Sequence, residues 1–551
     1  MILPAFNRRA RLAAHLFLWL TPPAFGALAL ALGQDANWDL RNYHWYGAYA
    51  WLTGRTGFDL LVAQIPTFYN PLLDVPFYLA ATALPAPVVG FLLGAVQGLN
   101  SILVFLLTLV AVRNAQASLR VGLAVGLGLM AGLGGGTLGL LGTTFNDNVV
   151  SLGVLGSMLV VALTLPRMLD GEAWRAAAWA TVAGTLAGAA MGLKQPTVIY
   201  GVGLCLAFLM LPTGPGRRLT LAFAFGIGAL AAIAVTDGAW MWQLWSDYRN
   251  PLFPHMNNIF RSPFAAISDY RNHQFFPTSL WEAVFYPLVF ALDPQRVSEV
   301  WFIDLRIAVL FVVVPVAVLA ALVGRLAGRT VEPVGDRAFT RFLLATLAVT
   351  YALWVFMFCI YRYLVPMEIM APLAIVLAVG IVPVARQMRL VLAVALLVLV
   401  QVVVVPADWG RVPWSQNWVE AKIPPIADPF DTMILMGGYY AISHVVPLFP
   451  PETPVVRIQS NFLQPDSVGN AYLGIVRRKV AAHQGPFLML ATIPDTPGAA
   501  RAAALMGLEV DEHQCQVIPN NLGEDLNLCA VRRVPSAAMV PAPGGIARAV
   551  E

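Results

Sequence analysis

The chain has 551 residues, of which 58% are hydrophobic and 12% charged, and its mean hydropathy is +0.70. Such a composition excludes an ordinary soluble domain for most of the length and reads as a polytopic membrane protein, mainly α-helical. The formal net charge of +4 is too small to point to nucleic acid, and no basic run with interleaved aromatics occurs.

Lysine is confined to Lys194, Lys422 and Lys479, so nearly all positive charge is arginine, the codon choice of a GC-rich bacterial genome. Four cysteines are too few for a disulfide scaffold. Cys205 and Cys359 fall inside apolar runs and read as core, whereas Cys515 and Cys529 lie in a polar segment and would pair in an oxidising compartment.

Asn7-Arg8-Arg9-Ala10-Arg11 precedes an apolar run from Leu12 to Gly33, long enough to cross a bilayer at roughly 20 residues per span. The alternative is a signal peptide, with Ala29-Leu30-Ala31 as its cleavage site. Further apolar runs predict spans near 86–112, 119–141, 149–166, 174–192, 196–212, 219–241, 301–324, 342–360, 364–385 and 390–406, about eleven with the first. Arginine recurs in alternate connections, at Arg113/Arg120, Arg167/Arg175, Arg217/Arg218, Arg325/Arg329/Arg337/Arg341 and Arg386/Arg389. The positive-inside rule then puts the N-terminus in the cytoplasm and the C-terminus outside.

Two outer segments are long, 34–85 and 242–300, and the prolines and asparagines of the second argue for short helices and turns. Residues 1–406 therefore read as the membrane domain. After Pro406 the chain turns polar and proline-rich, with β-like runs at Thr432–Met436, Val455–Ile458 and Phe487–Ala491. These predict a small external α/β domain over 407–535, followed by a disordered tail at 536–551. Gly134-Gly135-Gly136, inside an apolar run, reads as helix packing and not as a phosphate loop.

Ionisable residues near the predicted membrane edge gather on the outer side: Asp39, Asp147, Lys194, Arg362 and Glu368. Charges there are costly, so their collection at one depth points to a functional cavity. An arginine and a lysine beside an apolar wall suit a phosphate esterified to a lipid, Arg362 as a fork and Lys194 as a point charge. Asp39 suits deprotonation of an acceptor hydroxyl, the single base that inverting transfer at a sugar carbon requires. Trp38, Tyr43, Trp45 and Tyr46 offer rings on which a sugar can stack, and a helix through 39–43 would put Asp39 and Tyr43 on one face.

The order of elements resembles the polytopic GT-C glycosyltransferases, which take sugar from a polyprenyl-phosphate carrier on the outer face of the membrane. The likeness rests on Asp39-x-x-x-Tyr43-His44 after the first span, TFYNP at Thr67–Pro71, NPLFP at Asn250–Pro254 and YRYLVP at Tyr361–Pro366, and it covers roughly the first 400 residues. It implies a GT-C-like bundle with Asp39 as base. Tyr43, His44, Trp45, Tyr46, Asn70, Asp147, Lys194, Asn250, Arg362, Tyr363 and Glu368 are the substrate-binding candidates. Many relatives carry an adjacent acidic pair where this chain has Asp39-Leu40, so a second carboxylate would come from Asp35, Asp147 or another loop. A divalent metal, Mg or Mn, is the open cofactor candidate. His44, His255 and His273 lack ligand spacing, and Asp304 with Arg306 reads as a local pair.

The expected function is transfer of a hexosyl or pentosyl unit to a glycan, lipid or protein acceptor of the cell envelope, at the periplasmic face of a bacterial inner membrane. A transporter or flippase of a lipid-linked glycan is the alternative, although such proteins usually show repeat symmetry and charges spread through the membrane depth. An assembly protein would explain the external segment but not Lys194 or Arg362.

Overall fold

A computed structural model describes residues 7–113, 116–329, 331–467 and 470–534; the expected tail at 536–551 lies outside them. The protein is mainly helical with a small C-terminal sheet region. It divides into two compact units, one formed by described residues up to Asn37 with Ala80–Gln243 and Arg271–Gln416, the other by Trp38–Leu79, Leu244–Tyr270 and described residues from Asn417 onward.

Among the described residues of the first unit, eight helices are long and apolar enough to cross a membrane: Arg8–Leu32, Ala86–Ala111, Asp147–Asp170, Ala173–Leu193, Pro215–Thr236, Arg306–Leu326, Arg337–Met357 and Tyr361–Gly380. This makes the chain a multi-pass membrane protein. Three other stretches read as spans form shorter helices, Ala117–Gly132, Gln195–Met210 and Arg386–Val402. The run expected over 119–141 breaks because Leu133 and Gly134 leave the helix and a five-residue helix, Gly135–Gly139, begins afresh.

Local chemistry sets several of these ends. Asn7 caps the first helix by accepting the Ala10 amide at 2.9 Å. Helices Ala173–Leu193 and Pro215–Thr236 approach so closely that a Cβ on Gly184 would stand 2.0 Å from the Phe225 carbonyl oxygen, which is how small residues let membrane helices pack. The connection after the last helix stays with this unit. Its strand β2 (Arg411–Val412) pairs antiparallel with β1 (Gln34–Asp35), and Arg411 donates to the carbonyls of Gly33, Gly139 and Leu141.

The second unit is built on a five-stranded sheet of β3 (Met433–Met436), β4 (Val455–Arg457), β5 (Phe487–Thr492), β6 (Leu508–Ile518) and β7 (Leu526–Arg533), in the order β4-β3-β5-β7-β6. Strands β4, β3 and β5 are parallel, whereas β7 runs antiparallel to both β5 and β6. Cys515 and Cys529, opposite one another on β6 and β7, form a disulfide.

The segment 38–79 is woven into this unit. Leu60 bridges to Val456 beside β4, and Arg55 clasps Asp59 through two nitrogens at 2.6 and 2.8 Å while donating to the Thr453 carbonyl. Tyr46, Tyr49, Val62 and Ala63 pack with Ile434, Val455, Leu490 and Leu526 in one apolar core.

Candidate functional site

In the first unit, four of the sequence candidates meet around Phe145. Asp147 opens helix Asp147–Asp170, Lys194 ends helix Ala173–Leu193, and Arg362 and Tyr363 lie in the turn Tyr361–Leu364 before Val365–Gly380. An acid at a helix N-terminus and a base at a C-terminus each complement the local end of the helix dipole.

Lys194 Nζ lies 2.7 Å from Asp147 Oδ1 and 2.5 Å from the Phe145 carbonyl oxygen, and 5.7 Å from the Tyr363 ring centre. The Arg362 guanidinium covers the Phe145 ring at 4.1 Å and reaches Glu299 at 3.8 Å. Trp409 packs edge-on against Phe145 and donates to Glu299. The left-handed Asn146, with φ 67°, turns the chain between Phe145 and Asp147. Asp147 Oδ2 is buried without a hydrogen-bond donor, a costly state in a low-dielectric setting. Phe145, Glu299 and Trp409 were not singled out in the sequence, since nothing there links them to positions 147, 194 and 362.

Glu368 has a different place. It is fully buried and accepts the amides of Gly136 and Thr137 and the hydroxyls of Thr137 and Tyr361, at 3.1, 2.8, 2.6 and 2.8 Å. The amide of Gly135 donates to Asp304, which pairs with Arg306 at 3.7 Å, and Arg306 reaches Glu368 at 4.0 Å. The triple glycine is thus an anion cradle filled by the protein's own carboxylates; a Cβ on Gly134 would stand 1.9 Å from Glu368 Oε1. Glu368, expected to touch substrate, instead holds this loop. Asp35 is likewise enclosed, accepting from Asn37 and Thr144.

In the second unit, Asp39 is half-buried and accepts the Tyr43 hydroxyl at 3.3 Å, although Leu40–His44 winds as a π-helix. The next residue, His44, is buried and pairs through Nδ1 with Asp74 at 2.7 Å, while its Nε2 has no hydrogen-bond partner. Tyr43 meets Tyr69 edge-on at 5.5 Å, and the Tyr69 hydroxyl lies 3.2 Å from His255 Nε2. Burial holds the His255 imidazole below its usual range.

TFYNP and NPLFP come together here: Phe68 packs on Phe253 at 4.7 Å. Their asparagines are turn formers, since Asn70 and Asn250 each accept the amide two residues on, at 3.0 and 2.9 Å. Asn250 is fully buried. Trp45 and Tyr46 are buried as well. Trp45 packs against Phe77 and Tyr78, and Tyr46 donates to Asp59 at 2.8 Å within the apolar core. Trp38 remains partly exposed. Asp74, Tyr69 and His255 also join this cluster; Tyr69 stood inside a quoted motif, and His255 was weighed only as a metal ligand.

Among the described residues, no group of three or more His, Cys, Asp or Glu side chains is placed to hold a metal ion. The expected Mg or Mn thus has no ready-made all-protein ligand set among them, and no chemistry is routed through one.

No protein-family model matches the chain, and no curated protein matches it either. Among solved structures, the apo oligosaccharyltransferase of Archaeoglobus fulgidus is similar to it at 13% identity and a TM-score of 0.35, covering 89% of this chain and 71% of that one.

Proposed function

We propose that the chain is a membrane glycosyltransferase that moves a sugar from a polyprenyl-phosphate donor to a glycan, lipid or protein acceptor of the bacterial envelope. The observation that carries this reading is the meeting of Lys194, Arg362 and Tyr363 around Phe145, at the ends of apolar helices. Two cations beside apolar helix surface suit a lipid phosphate, one as a fork and one as a point charge.

In the second unit, Asp39 is the proposed base. It takes the proton of an acceptor hydroxyl, whose oxygen attacks the anomeric carbon as the bond to the donor phosphate breaks and polyprenyl phosphate leaves. Tyr43 orients the carboxylate through its hydroxyl. Attack opposite the departing phosphate inverts the sugar carbon, and the positive-inside pattern of arginines supports a periplasmic reaction face.

The test is transfer by purified protein in nanodiscs, supplied with polyprenyl-phosphate sugars extracted from its own membranes. The expected result is turnover by wild type and its loss in Asp39→Asn and in Arg362→Ala, with thermal unfolding unchanged in Asp39→Asn. Full activity in Asp39→Asn would remove the base assignment. Absence of turnover, with lipid-linked glycan crossing the bilayer of vesicles, would replace the reading by transport.

A further inference from the structure

The second unit contains a cleft of about 220 Å³ lined by Tyr439, Gln459, Gln464, Asp466, Asp495 and Arg501, with Pro465, Ala502 and Leu505 as apolar wall. Its place follows from the sheet. Strand β3 is followed by β4 on one side and then, past β3, by β5 on the other. The direction of winding thus reverses between β3 and β5, and ligands of open α/β sheets bind outside the carboxyl ends of the strands at such a reversal. Tyr439 follows β3, Gln459 follows β4 and Asp495 follows β5, so the loops leaving all three parallel strands supply the lining.

The lining restricts what can bind. Among the described lining residues Asp466 and Asp495 stand with one cation, Arg501, with buried Arg457 behind Asp495, and Asp495 precedes the helix Thr496–Ala504, where it already supplies the negative charge that this helix end favours. A phosphate is disfavoured by those carboxylates, and no group of three or more acidic, His or Cys side chains among the described residues gathers there for a metal. The remaining groups suit an uncharged ligand rich in hydroxyls.

Gln459 accepts the Gly438 amide at 3.1 Å and Gln464 donates to the Ser460 carbonyl at 2.7 Å, so both amides are held in place before any ligand arrives. The Asp495 carboxylate is held against the loop after β3, where a Cβ on Gly438 would stand 1.5 Å from its Oδ2 and the Tyr439 backbone hydrogen-bonds to it, so this acid too is fixed at the cleft before any ligand arrives. Tyr439 is 50% exposed at the cleft and offers an apolar ring face beside these polar groups.

We propose that this cleft binds one ring of a neutral saccharide, with Tyr439 as the stacking face and the planar polar side chains as partners of the ring hydroxyls. The proposal goes beyond the transferase reading and does not depend on it, because binding is measured without turnover.

The experiment is saturation-transfer NMR and calorimetry on the full chain in nanodiscs, with D-glucose, D-galactose, D-mannose and L-rhamnose as probes and inorganic phosphate as the charged control. The expected result is saturable binding of at least one sugar, weakened about tenfold or more in Tyr439→Ala and in Asp495→Asn and kept in Tyr439→Phe, with unchanged thermal unfolding. Failure of all four sugars to bind wild type would overturn the proposal. So would binding that neither variant weakens, or phosphate binding that Asp495→Asn strengthens while no sugar competes.

Discussion

Two clusters of buried charge in the membrane-spanning unit are made of the same residue types and end in different states. Around Glu368, the carboxylate oxygens of Glu368 and Asp304 all accept from backbone amides or hydroxyls, while Arg306 faces them at 3.7 and 4.0 Å with its Nε and Nη1 left without a hydrogen-bond partner, and all three side chains are fully enclosed. Around Phe145, Asp147 keeps one oxygen without a donor, and the Lys194 and Arg362 side chains retain 15% and 11% of their exposure. Rarity of charge in an apolar helix marks both clusters equally. Carboxylate hydrogen bonding and access separate them: acids whose oxygens are all satisfied and enclosed fix the fold, and an acid with capacity left over beside partly exposed cations can bind.

The comparison is broken most directly at Glu368. Replacing it by alanine strips the glycine loop of its acceptor and leaves Arg306 with less compensation, at a cost of about 3–5 kcal/mol. Thermal unfolding in detergent should show the loss, and a variant as stable as wild type would mean that saturation carries no weight.

The second unit offers a saturated group that titrates. Burial pushes the His444 imidazole down to about 4, against about 6.5 in an unfolded chain. Arg41 adds to this shift and the Asn520 side chain opposes it. Between those values the unfolded chain binds the extra proton, so stability falls as pH drops from about 6.5 to about 4, by roughly 3 kcal/mol. Unfolding midpoints measured across that window should decline, and His444→Gln should flatten the decline.

At the open cluster, Lys194→Met should lower transfer about 100-fold, or roughly 2.7 kcal/mol of barrier. Adding Asp147→Leu removes the stranded carboxylate and should restore the melting temperature while leaving transfer lost. Recovery of transfer in the double variant would make the pair structural. The smallest effect belongs to Tyr46→Phe, which removes one donor to Asp59 while Arg55 keeps its grip. About 1 kcal/mol of stability and no activity should change.

Apolar run length was enough to read the long helices, because a bilayer imposes a length that composition reveals. Short β-like runs in the polar segment after Pro406 revealed β3, β4 and β5. The break at Leu133 and Gly134 was hidden, since it exists to place amides against Glu368, a partner more than 230 positions away. The same reason hid the weaving of 38–79 into the sheet unit. Asp39 and Tyr43 were legible as a pair through helical spacing, whereas Tyr46 was drawn inward by Asp59, a tertiary choice that periodicity does not encode. The asparagines of TFYNP and NPLFP were visible as motif letters, but their work as turn formers emerges only once their side-chain oxygens are seen to accept the amides of Leu72 and Leu252.

That weaving also dictates an order of events during biosynthesis. Tyr46, Tyr49 and Val62 leave the ribosome early, yet the strands that cover them, β3, β5 and β7, are translated hundreds of residues later. Until then an apolar surface waits uncovered, the kind of exposure that recruits holding chaperones and invites aggregation. Shortening the chain ahead of β3 would therefore not trim an appendage; it would strand a half-made core.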